Sequence, residues 1–374
     1  MLILVFVVAF MLRFFLLSSL PPGLDWDEAS TAYNAYSILK TGKDEFGESF
    51  PFLFRAYDGY TPPLLTYLNI PAVAIFGLNE FGARFTNAVL GTFSIFGICL
   101  LAKELFKSKK LAGTAALFLA ISPWHVTYSR VNFFATLPIF FTVFATYFFL
   151  KGKARFLFAS AVFFVLAILA YFSAYIFVPL FAVILAALYI KKLKLRRAVL
   201  FLTPIILAAV FILFLAGGGQ ARYRGVSAFG DPDLIKQSTQ FSVNEGALGQ
   251  VIHNRRIVYA QKFLEGYFAN FRFDFLFGKS DQVVRMVVPG SGFGLLYFWD
   301  LPFLALGIYF LAARKPSNWK MPLAWLAIAP IAAAPTLPVM TSTRASLMIP
   351  ALVIISAYGF YFFMKAKGGI VKGL

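Results

Sequence analysis

Residues 24–30 read Leu-Asp-Trp-Asp-Glu-Ala-Ser and place three carboxylates, Asp25, Asp27 and Glu28, within four residues. The stretch directly follows an apolar run that ends in Leu-Pro-Pro at residues 20–22. Crowded carboxylates beside an apolar segment repel one another. They are therefore expected where they serve a function or where a positively charged group neutralises them. They can cap and charge the first turn of the next helix, or they can form part of a site. Both interpretations stay open on these residues alone.

The composition outside this stretch is that of a membrane protein. Hydrophobic residues make up 60% of the chain and charged residues 13%, and 47 residues are phenylalanine. Apolar runs of roughly 18 residues or more recur along the chain, and such runs are typical of transmembrane helices. The single cysteine, Cys99, excludes a disulfide framework, and the two histidines, His125 and His253, exclude a polyhistidine metal site.

The apolar runs predict an all-α polytopic membrane protein with about ten transmembrane helices in one domain, residues 1–374. Residues 2–20 form the first span, which contains Arg13 and which we interpret as a retained helix and not as a signal peptide. The first external loop covers 21–80 and contains two predicted interfacial helices, 27–40 and 62–76. A second long external loop covers 217–294. The other spans are predicted at 81–102, 111–129, 133–150, 156–171, 174–190, 198–216, 295–313, 321–337 and 346–364.

The charges predict the orientation of these spans. Five short loops contain 18 of the 34 lysines and arginines and one acid, Glu104; they are 103–110, 151–155, 191–197, 314–320 and 365–372. The positive-inside rule predicts that these loops are cytoplasmic. Both termini then lie in the cytoplasm, and both long loops lie outside the cell membrane. This distribution argues against nucleic acid as a partner, although the net charge is +18. Because ATP and nucleotide sugars are absent outside the cytoplasm, a substrate activated there would arrive attached to a lipid.

Three carboxylates in the first external loop are the predicted catalytic groups. A carboxylate at a water–lipid boundary is well placed to take a proton from a hydroxyl, and we predict Asp27 as the general base, with Glu28 beside it. Asp58 and Tyr60 precede Pro62-Pro63, which set the start of an interfacial helix. Capping of that helix is the alternative role for this second group.

External basic residues are the predicted phosphate ligands. A guanidinium fork suits a phosphate, but an arginine at the end of a span can also extend to lipid headgroups. His253 lies in a polar loop and is a further candidate, whereas the sequence places His125 in an interfacial aromatic belt. The candidate arginines are Arg84, Arg130, Arg255, Arg256, Arg285 and Arg344.

Several stretches resemble the polytopic glycosyltransferases of the GT-C fold, above all bacterial relatives of the protein O-mannosyltransferases and the lipid A aminoarabinose transferases. Each motif is weakly specific, but their order along the chain matches. The stretches are Asp27-Glu28, residues 60–64 (Tyr-Thr-Pro-Pro-Leu), 77–84 (Gly-Leu-Asn-Glu-Phe-Gly-Ala-Arg), 122–125 (Ser-Pro-Trp-His) with 129–130 (Ser-Arg), 289–290 (Pro-Gly) with 294–297 (Gly-Leu-Leu-Tyr), and 343–347 (Thr-Arg-Ala-Ser-Leu).

The resemblance implies transfer of a hexose or pentose from a polyprenyl-phosphate donor to a hydroxyl of a protein, lipid or glycan acceptor, on the extracytoplasmic face and with inversion. The family's Asp-Glu pair maps onto Asp27 and Glu28, with the aspartate as base. Asp25 and Tyr297 join the predicted substrate-binding residues. The resemblance does not decide whether a divalent cation is needed as a cofactor. No nucleotide cofactor is expected.

Three positions depart from the family pattern. Relatives usually carry an acid where this chain has Phe134, often a lysine at Thr61, and commonly a histidine at Met286. These changes favour a degenerate relative that only binds polyprenyl phosphate, or an enzyme in which Asp58 supplies the second carboxylate. A lipid or solute transporter is the alternative from another class, but transporters bury their ionisable residues near the bilayer midplane, whereas here the acids cluster in loops.

Overall fold

The computed structural model describes residues 2–56, 59–191, 193–212, 227, 254–278 and 294–371. The described chain is mainly helical, as predicted. In order, its first elements are α1 (Leu2–Phe14), α2 (Trp26–Thr41), β1 (Phe54–Ala56), β2 (Gly59–Thr61), α3 (Leu64–Phe76), α4 (Glu80–Phe106), α5 (Lys109–Ile121), α6 (Pro123–Ser129), α7 (Thr136–Lys151), α8 (Ala154–Ala170), α9 (Phe172–Leu188) and α10 (Leu195–Val210).

The second half of the described chain contains shorter helices and one long terminal helix. These are α11 (Arg255–Ala269), α12 (Phe273–Leu276), α13 (Asp300–Arg314), α14 (Lys320–Ile328), a 3₁₀ turn (Ala329–Ala332), α15 (Ser342–Ala345), a second 3₁₀ turn (Ser346–Met348) and α16 (Ile349–Val371). A helix therefore lies within every predicted span. The strands β1 and β2 pair antiparallel, Phe54 with Thr61 and Ala56 with Gly59, so the prediction of an all-α chain was wrong at this hairpin.

Two predicted spans are broken by proline. The predicted span 111–129 divides at Ser122, where α5 ends and Pro123 opens α6. Proline has no N–H to donate to the preceding turn, so it starts a helix more readily than it continues one. The predicted span 321–337 likewise leaves α-helical geometry at Ala329–Ala332, which contains Pro330.

Helix α4 lies at the centre of the first group of helices, where it packs against α1, α3, α5 and α7. Helix α7 in turn packs against α8, and α8 packs against α9 and α10. One cluster of buried apolar side chains runs through these helices and through α14 and α16. In it, Trp325 packs on Phe181 and donates its indole N–H to the carbonyl of Leu347 at 2.7 Å.

Two segments of the described chain are long and apolar enough to cross a membrane by length and composition, Glu80–Phe106 and Ser342–Ala366. Other apolar helices, such as α7, α8 and α9, have 16 or 17 residues. The count of ten spans, the interfacial position of α2 and α3, the single domain and the cytoplasmic termini stay predictions.

Two glycines bring α13 and α16 into close contact. A Cβ on Gly307 would overlap the carbonyl oxygen of Ile355, and one on Gly359 would overlap that of Phe303. Because backbone atoms face each glycine, no side-chain rotation can make room. Small residues at such crossings let two helices approach each other in a membrane.

We therefore expect Gly307→Ala to lower the free energy of unfolding by about 1–3 kcal/mol, since the two helices must separate. Thermal unfolding of the detergent-solubilised protein measures this change. The control is Ala305→Leu, which enlarges an exposed position of the same helix. Equal midpoints for Gly307→Ala and the parent would contradict the close helix contact.

Candidate functional site

The carboxylates of residues 25–28 fix the start of α2 by a reciprocal pair of caps. Asp25 is the N-cap residue, and its Oδ1 accepts the N–H of Asp27 at 3.0 Å. In return, Glu28 Oε2 accepts the N–H of Asp25 at 3.0 Å. Such a capping box satisfies N–H groups that the first helical turn leaves without partners. Two of the three acids therefore do cap this helix.

Glu28 also forms a buried ion pair with Arg84 of α4. Arg84 Nε lies 3.0 Å from Glu28 Oε1 and Arg84 Nη2 lies 3.2 Å from Oε2, and both side chains are almost fully buried. A two-point contact of this kind is the strongest geometry for an arginine and a carboxylate. It ties the start of α2 to α4, which lies 56 residues further along the chain.

The remaining N–H groups of Arg84 bind backbone carbonyls of the turn that joins α1 to α2. Nη1 donates to Leu17 O at 3.1 Å and to Pro21 O at 2.9 Å, and Nη2 also donates to Gly23 O. All five guanidinium N–H groups thus have acceptors within the protein. To bind a phosphate, Arg84 would have to release one of these acceptors, so its role as a phosphate ligand stays a prediction.

Three buried asparagines extend this network. The backbone N–H of Asn132 donates to Glu28 Oε1 at 2.8 Å, and Asn69 Nδ2 donates to Asn132 Oδ1 at 2.9 Å. Asn87 Nδ2 donates to the carbonyls of Val131 and Phe133, on either side of Asn132. These three residues were not predicted from the sequence. The available signal was an amide inside an otherwise apolar helix, Asn69 in α3 and Asn87 in α4, because a polar group there needs a partner.

Arg130 holds the end of α1. Its guanidinium donates to Leu12 O and Phe15 O, both at 2.8 Å, and to Leu20 O at 3.0 Å. Partial burial, together with the charge of Arg84, lowers the pKa of Arg130 below its usual value. No described residue accepts a hydrogen bond from its Nε. Arg130 therefore retains a donor for a phosphate oxygen, unlike Arg84.

Asp27 stands at the second position of α2 and is partly buried. Ser30 and Asn34 follow it at helical spacings of three and seven, which places the three residues on one face. The carboxylate of Glu45 binds this face, with Oε1 3.1 Å from Ser30 Oγ and 2.8 Å from Asn34 Nδ2. Glu45 is thus a second acid on the face of Asp27. This position of Glu45 was not predicted from the sequence, because Glu45 lies in a loop after the helix.

The structure buries His125 and pairs it with Arg13, instead of placing it in an exposed aromatic belt. Arg13 Nη2 donates to His125 Nδ1 at 2.8 Å, and Arg13 Nη1 donates to Ala9 O and Ala120 O, each at 3.1 Å. Among the described residues no carboxylate pairs with Arg13. Backbone carbonyls and an imidazole nitrogen accept hydrogen bonds from its two terminal nitrogens, and in this way α1 is attached to α5 and α6. Its Nε is buried and has no partner among the described residues.

The other predicted site residues that the structure describes are located on separate elements. Tyr60 is partly exposed on β2, where it pairs with Arg55. Arg255 and Arg256 are exposed at the start of α11, and the ring of Tyr297 packs tilted against that of Trp299, with centroids 4.3 Å apart. Arg344 Nη1 donates to Leu337 O at 2.8 Å. Asp58, His253 and Arg285 lie outside the described residues, so the convergence of Asp27, Asp58 and an external arginine on one cavity stays a prediction.

Several motif stretches that are distant in sequence are joined directly. The Tyr128 hydroxyl is hydrogen-bonded to Thr343 Oγ1 at 2.9 Å, which links residues 122–130 to 341–347. The backbone N–H of Trp124 donates to Leu295 O at 3.1 Å, which links the same stretch to residues 294–297. Together with the contacts of Glu28 and Arg84, these bonds join the described motifs into one connected group.

The described residues do not form a cluster of three or more His, Cys, Asp or Glu side chains that could hold a metal ion.

Comparison with known proteins supports the resemblance noted in the sequence. A family model described as dolichyl-phosphate-mannose-protein mannosyltransferase matches residues 60–216. The archaeal oligosaccharyltransferase AglB from Archaeoglobus fulgidus, solved with an inhibitory peptide and a dolichol-phosphate, superposes with a TM-score of 0.56 and 14% identity over 100% of this chain and 51% of that one. The chain resembles the GT-C glycosyltransferases in fold.

Two further proteins are similar to this chain. ArnT from Cupriavidus metallidurans, solved with undecaprenyl phosphate, has a TM-score of 0.53 and 15% identity over 96% of this chain and 59% of that one. An uncharacterized protein of Aquifex aeolicus is 32% identical over 124 residues, 32% of this chain and 23% of the relative. The chain thus spans between about a quarter and three fifths of the length of these relatives. At such identities the solved structures establish the fold alone.

Proposed function

We propose that this protein transfers a sugar from a polyprenyl-phosphate donor to a hydroxyl acceptor, with inversion at the anomeric carbon and with Asp27 as general base. The observation that carries the proposal is the rigid start of α2. There the capping box and the buried Glu28–Arg84 pair hold Asp27 in place at the end of the bundle where Arg130 retains a free donor. The family model and the lipid phosphates bound to the two solved GT-C relatives support the choice of donor.

A single displacement accounts for each proposed role. The acceptor oxygen forms a bond to the anomeric carbon as the bond from that carbon to the phosphate oxygen breaks on the opposite face. Asp27 takes the proton of the acceptor hydroxyl, and the polyprenyl phosphate leaves with the bonding electron pair. A guanidinium such as that of Arg130 would stabilise the charge that develops on the phosphate.

The proposed location follows the predicted orientation. The start of α2 belongs to the predicted first external loop, so the reaction takes place on the extracytoplasmic face of the cell membrane. The sugar is a hexose or a pentose, and the acceptor is a hydroxyl of a protein, lipid or glycan. Such an acceptor reaches the site from the aqueous side, while the donor reaches it from the bilayer.

One observation favours a second candidate, a relative that binds polyprenyl phosphate without transferring sugar. Phe134, at the position where relatives usually carry an acid, is buried and stacks on Tyr171 with ring centroids 6.4 Å apart. An aromatic ring in that environment contributes packing and no charge. If the protein is a transferase, Glu45 supplies the second carboxylate in place of the acid that relatives usually carry at the position of Phe134.

The test is a transfer assay with the full chain in proteoliposomes and polyprenyl-phosphate donors carrying radiolabelled hexoses or pentoses. We expect label to move to an acceptor fraction, with one polyprenyl phosphate released for each sugar transferred. Labelled donor that crosses the bilayer intact would overturn the proposal in favour of a transporter. Donor that stays bound and unreacted across the panel would overturn it in favour of the degenerate binder.

A further inference from the structure

A cavity of about 460 Å³ lies between α8 and α10. Its walls are almost entirely hydrocarbon, and a single charged side chain, Arg197 in the first turn of α10, takes part in the lining. The size falls within the range of sites that hold a small molecule or a lipid chain. The apolar part of the wall includes Leu157, Phe158, Ala161 and Val162 of α8 and Leu200 and Pro204 of α10.

The end of the cavity at Arg197 is strongly basic. Helices α8 and α10 both begin there, and neither has an acid in its first turn. Arg197 is exposed, and no described residue forms an ion pair or hydrogen bond with its guanidinium. Four further exposed cations lie within three residues of these two helix starts: Lys153, Arg155, Lys194 and Arg196. An apolar cleft with a cationic mouth complements a molecule with a hydrocarbon chain and an anionic head.

This cavity is separate from the site around Asp27. Helix α7 begins four residues after Asn132, which contacts Glu28, and it ends at Lys151, three residues before α8 begins. Sixteen helical residues extend about 24 Å. The basic mouth therefore lies about one helix length from the acids of α2, on the side that the positive-inside rule makes cytoplasmic.

The volume of the cavity argues against a protein segment as the occupant. A helix about 10 Å across would fill 460 Å³ within about one turn, too short a contact to seat a partner helix. One extended hydrocarbon chain fits such a space along its length. We propose that this cavity binds one acyl chain of an anionic phospholipid of the cytoplasmic leaflet, with the lipid phosphate on Arg197.

Lipid binding to the full chain in mild detergent tests the proposal, independently of any transferase activity. Native mass spectrometry counts bound dioleoyl-phosphatidylglycerol, with dioleoyl-phosphatidylcholine as the zwitterionic probe of identical chains. Three variants are compared with the parent. Arg197→Ala removes the lining cation, Arg196→Ala removes its neighbour, which does not line the cavity, and Val162→Trp fills the cavity from an exposed position of α8.

We expect Arg197→Ala to weaken binding of one phosphatidylglycerol about fivefold, in keeping with about 1 kcal/mol for a basic residue near an anionic lipid surface. Arg196→Ala should retain that lipid, Val162→Trp should lose it, and glycerol 3-phosphate should not displace it. Unfolding midpoints without added lipid show that each variant is folded. Equal losses in the two arginine variants, equal binding of both lipids, displacement by glycerol 3-phosphate, or full binding by Val162→Trp would each overturn the proposal.

Discussion

Replacing Glu28 with glutamine is expected to lower the free energy of unfolding by about 3–5 kcal/mol, because it leaves Arg84 buried without its counter-charge. Glutamine keeps the shape of the side chain and can still accept one hydrogen bond. It cannot neutralise a guanidinium whose other acceptors are all backbone carbonyls. The cost therefore comes mainly from the charge and not from a cavity.

The measurement is thermal unfolding of the detergent-solubilised protein, where a loss of this size corresponds to a midpoint about 4–6 °C lower for a chain of this length. The control is Glu265→Gln, which removes the exposed partner of Lys262 in a surface ion pair of α11. Surface pairs contribute little, so its midpoint should match that of the parent. A stable Glu28→Gln protein that fails only in sugar transfer would assign Glu28 to the chemistry instead of the fold.

The sequence located the helices because hydrophobic runs have a strong signal. It did not locate the breaks within the runs, since the local effect of Pro123 or Pro330 on a helix depends on whether neighbouring groups satisfy the freed carbonyls. The three-residue strands at Phe54 and Gly59 were missed for a related reason. Segments so short carry no alternating pattern from which a strand can be recognised.

In the candidate site, too, local features could be predicted from the sequence and long-range contacts could not. The capping pattern of Asp25 and Glu28 is local, and its residue types and spacing predict it. The burial of Glu28 depends on Arg84, 56 residues away, and on the backbone of Asn132, and no local pattern specifies either contact. From the sequence, Arg84 and Arg130 are both predicted to be external arginines that bind a phosphate. The structure separates them, because Arg84 has no donor left while Arg130 retains its Nε.

Replacing Asp27 with asparagine is expected to lower the rate of sugar transfer by about 10²- to 10⁴-fold, the range for loss of a positioned general base. The amide has nearly the same shape but cannot take the proton of the acceptor hydroxyl. Donor affinity should persist, since the proposed phosphate contact belongs to Arg130. The stability should also persist, because the N–H of Asp27 still binds Asp25 and the ion pair of Glu28 is intact.

The measurement is the initial rate of transfer from a radiolabelled polyprenyl-phosphate sugar, with donor binding and the unfolding midpoint recorded on the same protein. Glu80→Gln is the matched control, because Glu80 is a first-turn acid of α4 and its loss weakens the same kind of interaction with a helix terminus. Glu80→Gln should turn over at the parent rate. If Asp27→Asn also did so, Asp27 would not be the base, and Glu45, held on the same face of α2 by Ser30 and Asn34, would become the carboxylate to replace next. A loss of transfer together with donor binding would instead place Asp27 in recognition of the sugar.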